Sequence, residues 1–254
     1  NPEELTSLIE SLVDPKKERI KALAIISPHA GYVYSGPVAG ALFSSVQLPE
    51  KYILLGPSHR KIRSKAAIMR TGTWSTPLGD IPVDTDLADL LLSSSTILEE
   101  DEEAHRNEHS LEVQFPFIQY FVKQFSIVPI SIGSPITYEE LEELGRAVAN
   151  GIKKCDSEAL MIASTDMSHY VEQAVALNLD FIAIQKIKEL NPRGFYDTVM
   201  SKNISMCGFQ PTTSALVASK ELGAKTASLI KYQTSGDISG NYAEVVGYAG
   251  IVIE

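Results

Sequence analysis

The stretch Ala159-Leu-Met-Ile-Ala-Ser-Thr-Asp-Met-Ser-His169 decides the fold, because an apolar run of strand length passes directly into polar turn residues. Three other stretches repeat the pattern: Ala22-Leu-Ala-Ile-Ile26 before Ser27-Pro-His-Ala-Gly31, Tyr52-Ile-Leu-Leu55 before Gly56-Pro-Ser-His59, and Ser126-Ile-Val-Pro-Ile-Ser-Ile132 before Gly133. Continuous apolar strands are typical of a sheet that is covered on both faces. We therefore predict four buried strands.

Helical patterns separate these strands. Apolar residues at helical spacing predict helices over Leu87–Leu92, Leu111–Val122, Leu141–Ile152 and Leu177–Leu190. The tail predicts two more strands, over 224–233 and 245–253, and Gly72–Gly79 reads as a loop or hairpin. Strands that alternate with helices indicate an α/β fold, here a single domain over 1–254 with a central mixed sheet and helices on both faces.

Composition excludes several classes of protein. The apolar fraction of 44% and charged fraction of 21% exclude global disorder, and the net charge of −10 argues against nucleic acid as a partner. No apolar run approaches the roughly 20 residues of a membrane span, so we expect no membrane partner. Two cysteines exclude a disulfide scaffold and favour a cytoplasmic setting. Because the chain begins at Asn1 without Met, we expect a short preceding segment.

The positions of the five histidines are the main functional signal. His29, His59 and His169 each follow an apolar strand within a few residues, and His109 lies at the start of a predicted helix. Ligands of open α/β sheets bind beyond the carboxyl ends of the strands, so the first three imidazoles are predicted to share one edge. A lone loop histidine is more often structural, and we interpret His105, beside an acidic run, as a solvated surface residue.

Two histidines and one anionic ligand are typical of a catalytic metal site. Cys207 is the better thiol, because it precedes a predicted helix start at Pro211 whose N-terminus would favour the thiolate. Cys155 ends a predicted helix near the surface. A free cysteine is most often a small buried apolar residue, and without a CxxC or HExxH pattern the spacing alone does not choose between the two thiols.

Two acidic segments could assist the histidines. Asp166 and His169 are three residues apart and would share one face of a helical turn as base and orienting group, or cap a following helix. His109 lies near Glu108 and Glu112, but we interpret these glutamates as the charged first turn of a helix. A serine hydrolase is the weaker interpretation, since no Gly-x-Ser-x-Gly elbow is present.

Six motifs, in this order, resemble those of the Memo family: Pro28-His-Ala-Gly-Tyr-Val-Tyr-Ser-Gly36, Leu55-Gly-Pro-Ser-His59, Thr76-Pro-Leu-Gly-Asp80, Glu108-His-Ser-Leu-Glu112, Ser164-Thr-Asp-Met-Ser-His-Tyr170 and Met206-Cys-Gly208. The resemblance extends from about residue 22 to 253. It implies an α/β fold similar to that of the class III extradiol dioxygenases, with a cleft at one sheet edge.

The resemblance also implies the site. The family's metal positions, two histidines and a cysteine, match His29, His59 and Cys207. Its other site positions match Asp166, His169, His109 and Tyr34. The animal member resembles a signalling protein said to bind phosphotyrosine peptides and a redox protein using copper or iron. The segment Cys207-Gly-Phe-Gln-Pro211 lacks that member's Arg, which weakens the phosphopeptide interpretation here.

Three functions follow as hypotheses. The first is a metal-dependent oxidoreductase that holds iron or copper, with zinc also able to bind, and acts on an unknown small molecule. In it, His169 and His109 would transfer protons, and Asp166 would hold the His169 tautomer. The second is a module that binds a peptide or small ligand in the same cleft without turnover. The third is a zinc-dependent hydrolase.

Overall fold

The apolar stretches of the sequence form one central sheet. In the computed structural model, which describes residues 1–254, the strands are β1 (Ala24–Ser27), β2 (Lys51–Pro57), β3 (Ala66–Ile68), β4 (Thr73–Thr76), β5 (Gly79–Pro82), β6 (Leu98–Glu100), β7 (Ser126–Ile132), β8 (Ala159–Ser164), β9 (His169–Val171), β10 (Ala227–Thr234) and β11 (Val245–Ile253). Nine of them form a sheet in the order β10-β11-β1-β8-β2-β7-β3-β6, with β9 paired to β11, and β4 and β5 form a separate hairpin.

Helices cover both faces of this sheet. They are α1 (Pro2–Leu12), α2 (Tyr32–Ser44), α3 (Thr85–Leu92), α4 (Phe115–Phe121), α5 (Tyr138–Lys154), α6 (Gln173–Lys188), α7 (Pro192–Ser201), α8 (Phe209–Glu221) and α9 (Gly236–Ser239), with short 3-10 turns at Glu103–His105 and Glu112–Gln114. Alternate strand residues enter two apolar layers, as Ile25 and Ile26 do on opposite faces. No helix is both long and apolar enough to cross a membrane.

The strand directions bring the functional segments together. β1 pairs in parallel with β8, β8 with β2, and β2 with β7, so the carboxyl ends of all four strands lie at one edge of the sheet. The segments that leave β1, β2 and β8 at this edge carry the predicted histidines. β11 runs antiparallel to β1, β9 and β10, which makes the sheet mixed as predicted.

Two local predictions were wrong. The helix expected over 111–122 is divided into a 3-10 turn and α4, which starts with Pro116 in its first turn, a position that proline favours. Asp166 and His169 do not share a helical turn. His169 begins β9 instead, because the backbone of this segment pairs with β11 through His169 and Val246.

Candidate metal centre

His29 lies in the turn after β1 and is almost completely buried, with 2% of its surface exposed. Its Nδ1 is 3.0 Å from Oγ of Ser164, and its Nε2 is 3.3 Å from Sγ of Cys207. Burial lowers the pKa of His29 to about 4, against the opposing charge of Asp166. The imidazole is therefore neutral at pH 7, which is the form that binds a metal.

His59 follows β2 and is held by a buried carboxylate. Glu108 accepts hydrogen bonds from Nδ1 of His59 at 2.9 Å and from its backbone N–H at 2.7 Å. Burial would raise the pKa of Glu108, but these bonds and one from the Ser110 N–H lower it to about 2. The prediction that Glu108 is part of a charged helical turn was wrong, because this carboxylate turns inward to His59; Glu112 is exposed in a 3-10 turn.

Cys207 comes to the same edge on the segment that leads into α8. It lies before Gly208, whose backbone packs against Ser164 and Thr165 so tightly that any Cβ there would collide with them. The backbone N–H of Asp166 donates to Sγ of Cys207 at 3.3 Å. Cys155 ends α5 and contacts Ser157 instead.

The predicted thiolate preference of Cys207 was wrong for the metal-free protein. Burial, followed by the negative charge of Asp166, raises the pKa of the thiol to about 12. Gly208 rather than Cys207 is the N-cap of α8, so the thiol lies outside the first turn where the dipole acts most strongly. A metal that bound to Cys207 would therefore have to displace the thiol proton.

The three predicted ligand residues converge. One ligand atom from each of His29, His59 and Cys207 lies within 4.8 Å of the other two. A pair of imidazoles and a thiolate fit zinc, iron or copper, and three protein ligands leave coordination positions open. The residues present therefore suit a transition metal.

Asp166 and His169 adjoin this group. Asp166, His169 and Cys207 form a second set of ligand atoms within 4.8 Å of one another. Oδ1 of Asp166 accepts from the backbone N–H of His29 at 2.9 Å, which anchors the turn after β1. The expected contact to His169 is absent, since Nδ1 of His169 donates to the carbonyl of Ser205 at 2.7 Å. Ser205, and not Asp166, therefore sets the His169 tautomer.

A buried hydrogen-bond network around Asp180 holds the segment that carries Asp166 and His169. Both the backbone N–H and the hydroxyl of Ser168 donate to Oδ1 of Asp180, at 3.0 and 2.5 Å. Tyr232 donates to the other carboxylate oxygen of Asp180 at 2.7 Å. Asp180 is completely buried, and its sequence context within an apolar helix offered no sign of this role.

His109 borders the candidate metal centre, and Tyr248 lies near Asp166 and Tyr34. The His109 ring stacks on that of His59 with centroids 4.8 Å apart, and its side chain is 56% exposed. Tyr34 is half-exposed in the first turn of α2. Tyr248 was missed because it stands within an apolar strand; burial and the charges of Asp166 and Tyr34 raise the pKa of its phenol.

The interpretation of His105 as a solvated residue was wrong. Its side chain is buried beside Trp74, with ring centroids 5.9 Å apart, although the acidic residues next to it in sequence are exposed. Burial lowers the pKa of His105 to about 4. His105 is outside every group of metal-ligand residues.

Comparisons with known proteins agree on the family. A family model described as Memo-like protein matches residues 1–252. A MEMO1 family protein of Methanococcus maripaludis is 42% identical over 242 residues, covering 92% of this chain and 84% of that protein. One from Methanocaldococcus jannaschii is 39% identical over 273 residues, covering 100% and 94%.

A solved structure confirms the fold. The crystal structure of an uncharacterized Escherichia coli K12 protein matches with a TM-score of 0.62 and 14% identity, covering 90% of this chain and 98% of that one. The predicted α/β architecture with a central mixed sheet is thereby confirmed. The family match over nearly the whole length and the relatives at about 40% identity establish that this chain belongs to the Memo family.

Proposed function

We propose that the protein is a metal-dependent oxidoreductase whose His29, His59 and Cys207 hold one iron or copper ion. The observation that carries this proposal is the convergence of three ligand atoms within 4.8 Å from segments that are far apart in sequence. The donor set supports a redox-active metal, because imidazoles and a soft thiolate suit iron and copper. Family membership supports the site residues through the matching motifs.

The chain's own residues would prepare this site for chemistry. When bound, the metal would supply one-electron chemistry toward a small substrate or dioxygen. Since a carbonyl only accepts, Nδ1 of His169 carries the proton that bonds Ser205, and its Nε2 is left to accept a proton from the substrate. The exposed ring of His109 would exchange protons with solvent. Both imidazoles thus offer proton transfer beside the metal ligands.

Two alternatives share the same cleft. The buried thiol of Cys207, whose pKa burial raises, favours a module that binds a peptide or small ligand without turnover, because a soft sulfur ligand alters the chemistry of a bound metal. Three protein ligands with open positions also fit zinc, which supports a hydrolase with a metal-bound water. The experiments below distinguish both alternatives from the oxidoreductase. For any of the three functions we expect a cytoplasmic setting.

Elemental analysis tests the metal site. Protein purified without oxygen should contain about one transition metal per chain, and His29→Ala, His59→Ala and Cys207→Ser should lose it. Cys155→Ser is the matched control, since that thiol lies away from the histidines. Unchanged metal content in all three site variants would refute the assignment.

Activity assays then separate the functions. Oxygen consumption by the iron- or copper-loaded protein, with a panel of catechols and small reductants, supports the oxidoreductase. Ligand binding without oxygen consumption supports the binding module. Phosphatase or esterase activity that requires zinc supports the hydrolase.

A further inference from the structure

The hydroxyl of Ser164, at the end of β8, has three polar neighbours. Its Oγ is 3.0 Å from Nδ1 of His29, 3.0 Å from Nε2 of Gln114 and 2.5 Å from the carbonyl oxygen of Ser110. Ser164 and Gln114 are both completely buried. The neighbours belong to two segments far apart in the chain, the turn after β1 and residues 110–114, which meet at the candidate metal centre.

The chemistry of these neighbours assigns every proton. A carbonyl only accepts, so the single hydroxyl proton of Ser164 points to Ser110. The Gln114 amide nitrogen only donates, and its second bond to the carbonyl of Pro28, at 3.0 Å, fixes its orientation. Ser164 therefore accepts from Gln114 and has one further acceptor position, which only an N–H at Nδ1 of His29 can fill.

From this geometry we infer that Ser164 is a positioning residue that holds His29 in the Nδ1–H tautomer, so that its Nε2 lone pair points at the metal position. Nε2 is the nitrogen that lies 3.3 Å from Sγ of Cys207. The role of Nε2 as a metal ligand rests on the proposed metal site. The tautomer itself is a property of the metal-free protein.

Ser164 also links the supports of the two histidines. The carbonyl of Ser110 accepts the hydrogen bond from Ser164. The backbone N–H of the same residue donates to Glu108 at 2.9 Å. Glu108 in turn holds His59. One buried hydroxyl therefore ties the orientation of His29 to the segment that orients His59.

Nuclear magnetic resonance of metal-free, ¹⁵N-labelled protein tests the tautomer directly. Long-range proton–nitrogen correlation at pH 7 should show a protonated Nδ1 and an unprotonated Nε2 for His29, assigned with a His29→Gln variant. Ser164→Ala should convert this signal to a mixture of tautomers. A protonated Nε2 in the wild-type protein would overturn the inference without any variant.

Ser27→Ala is the matched control. Ser27 pairs with Ser164 in the neighbouring strand and is equally buried, but its hydroxyl has no hydrogen-bond partner. It should leave the His29 tautomer unchanged. An identical response of Ser27→Ala and Ser164→Ala would show a general packing effect and would overturn the inference.

Cobalt(II) titration measures the effect of Ser164 on metal affinity. Binding is detected by the thiolate absorption of the cobalt complex. Ser164→Ala should bind cobalt about 10- to 100-fold more weakly, while Ser164→Thr, which keeps the hydroxyl, should recover most of the affinity. Equal affinity of Ser164→Ala and wild type would refute the positioning role. If the wild type binds no metal, the proposed function fails, while the resonance experiment still decides the tautomer.

Discussion

The two histidines of the candidate metal centre reach the same arrangement by different means. The His29 side chain is 2% exposed and contacts the neutral Ser164 hydroxyl, whereas the His59 side chain is 37% exposed and contacts the Glu108 carboxylate. In both, Nδ1 faces a hydrogen-bond acceptor and Nε2 is left for a metal. A neutral hydrogen-bond acceptor therefore orients the buried imidazole, and a charged acceptor orients the more exposed one.

This difference gives the two histidines opposite titration behaviour. Burial lowers the pKa of His29 to about 4, and the hydrogen bond to Glu108 raises the pKa of His59. A lowered histidine pKa removes stability as the pH falls below the unfolded value of 6.5, toward 4. A raised one adds stability that is present below pH 6.5 and is lost as the pH rises through the folded pKa.

The largest expected effect comes from removing the charged support. Glu108→Ala leaves the N–H groups of His59, His109 and Ser110 without their acceptor, so we expect a loss of about 3 kcal/mol in the free energy of unfolding. Metal affinity should fall about 100-fold, the upper end of the range expected for Ser164→Ala. Urea denaturation and cobalt titration measure these effects.

Glu112→Ala is the control for that experiment. Glu112 belongs to the same segment but is exposed, so its replacement should change stability by less than about 0.5 kcal/mol. Equal losses for Glu108→Ala and Glu112→Ala would contradict the special role of the buried carboxylate.

A third imidazole, His105, sharpens the comparison at acid pH. It is buried like His29 but has no carboxylate bonded to it. Its pKa is about 4 in the folded protein and 6.5 in the unfolded chain. This difference corresponds to a loss of at most about 3 kcal/mol in the free energy of unfolding on acidification. In metal-free protein, His105→Phe should reduce the loss of stability between pH 6.5 and pH 4. Urea denaturation at several pH values measures this, and identical pH profiles would contradict the prediction.

A smaller effect is expected at the thiol. Asp166 adds to burial in raising the pKa of Cys207 to about 12, so Asp166→Asn should lower that pKa by about 1 unit. Iodoacetamide should then alkylate Cys207 about tenfold faster at a given pH, measured in a Cys155→Ser background. The exposed Asp197→Asn serves as control, and an unchanged rate for Asp166→Asn would show that burial alone protects the thiol.

The smallest effect on stability and metal content is expected at Tyr34, in the first turn of α2. Tyr34 is half-exposed, and Tyr34→Phe removes only its hydroxyl, so stability should change by less than about 0.5 kcal/mol and metal content should stay the same. A substrate that contacts this hydroxyl would reveal itself as a raised KM in the oxygen-consumption assay. Loss of the metal in Tyr34→Phe would contradict the expectation that the Tyr34 hydroxyl does not support the metal ligands.

Much of the architecture could be predicted from local sequence. Strand bounds such as Ser126–Ile132 and Val245–Ile253 match the predicted ones, because continuous apolar runs must be buried on both faces of a sheet. The placement of His29 and His59 after parallel strands followed from topology. The position of Cys207 before a predicted helix start favoured it over Cys155, but only the family resemblance decided between the two thiols.

Other features depend on contacts between residues far apart in the chain. The inward turn of Glu108, the burial of His105 and the neutral thiol of Cys207 all contradict what their neighbours in sequence suggest. Desolvation and hydrogen bonding act through space, so a charged segment such as 99–108 contains both exposed carboxylates and a buried one. The sequence by itself determined the α/β sheet and the edge where the candidate ligands lie, whereas only the tertiary structure decided the protonation, charge and hydrogen-bond partners of each candidate ligand.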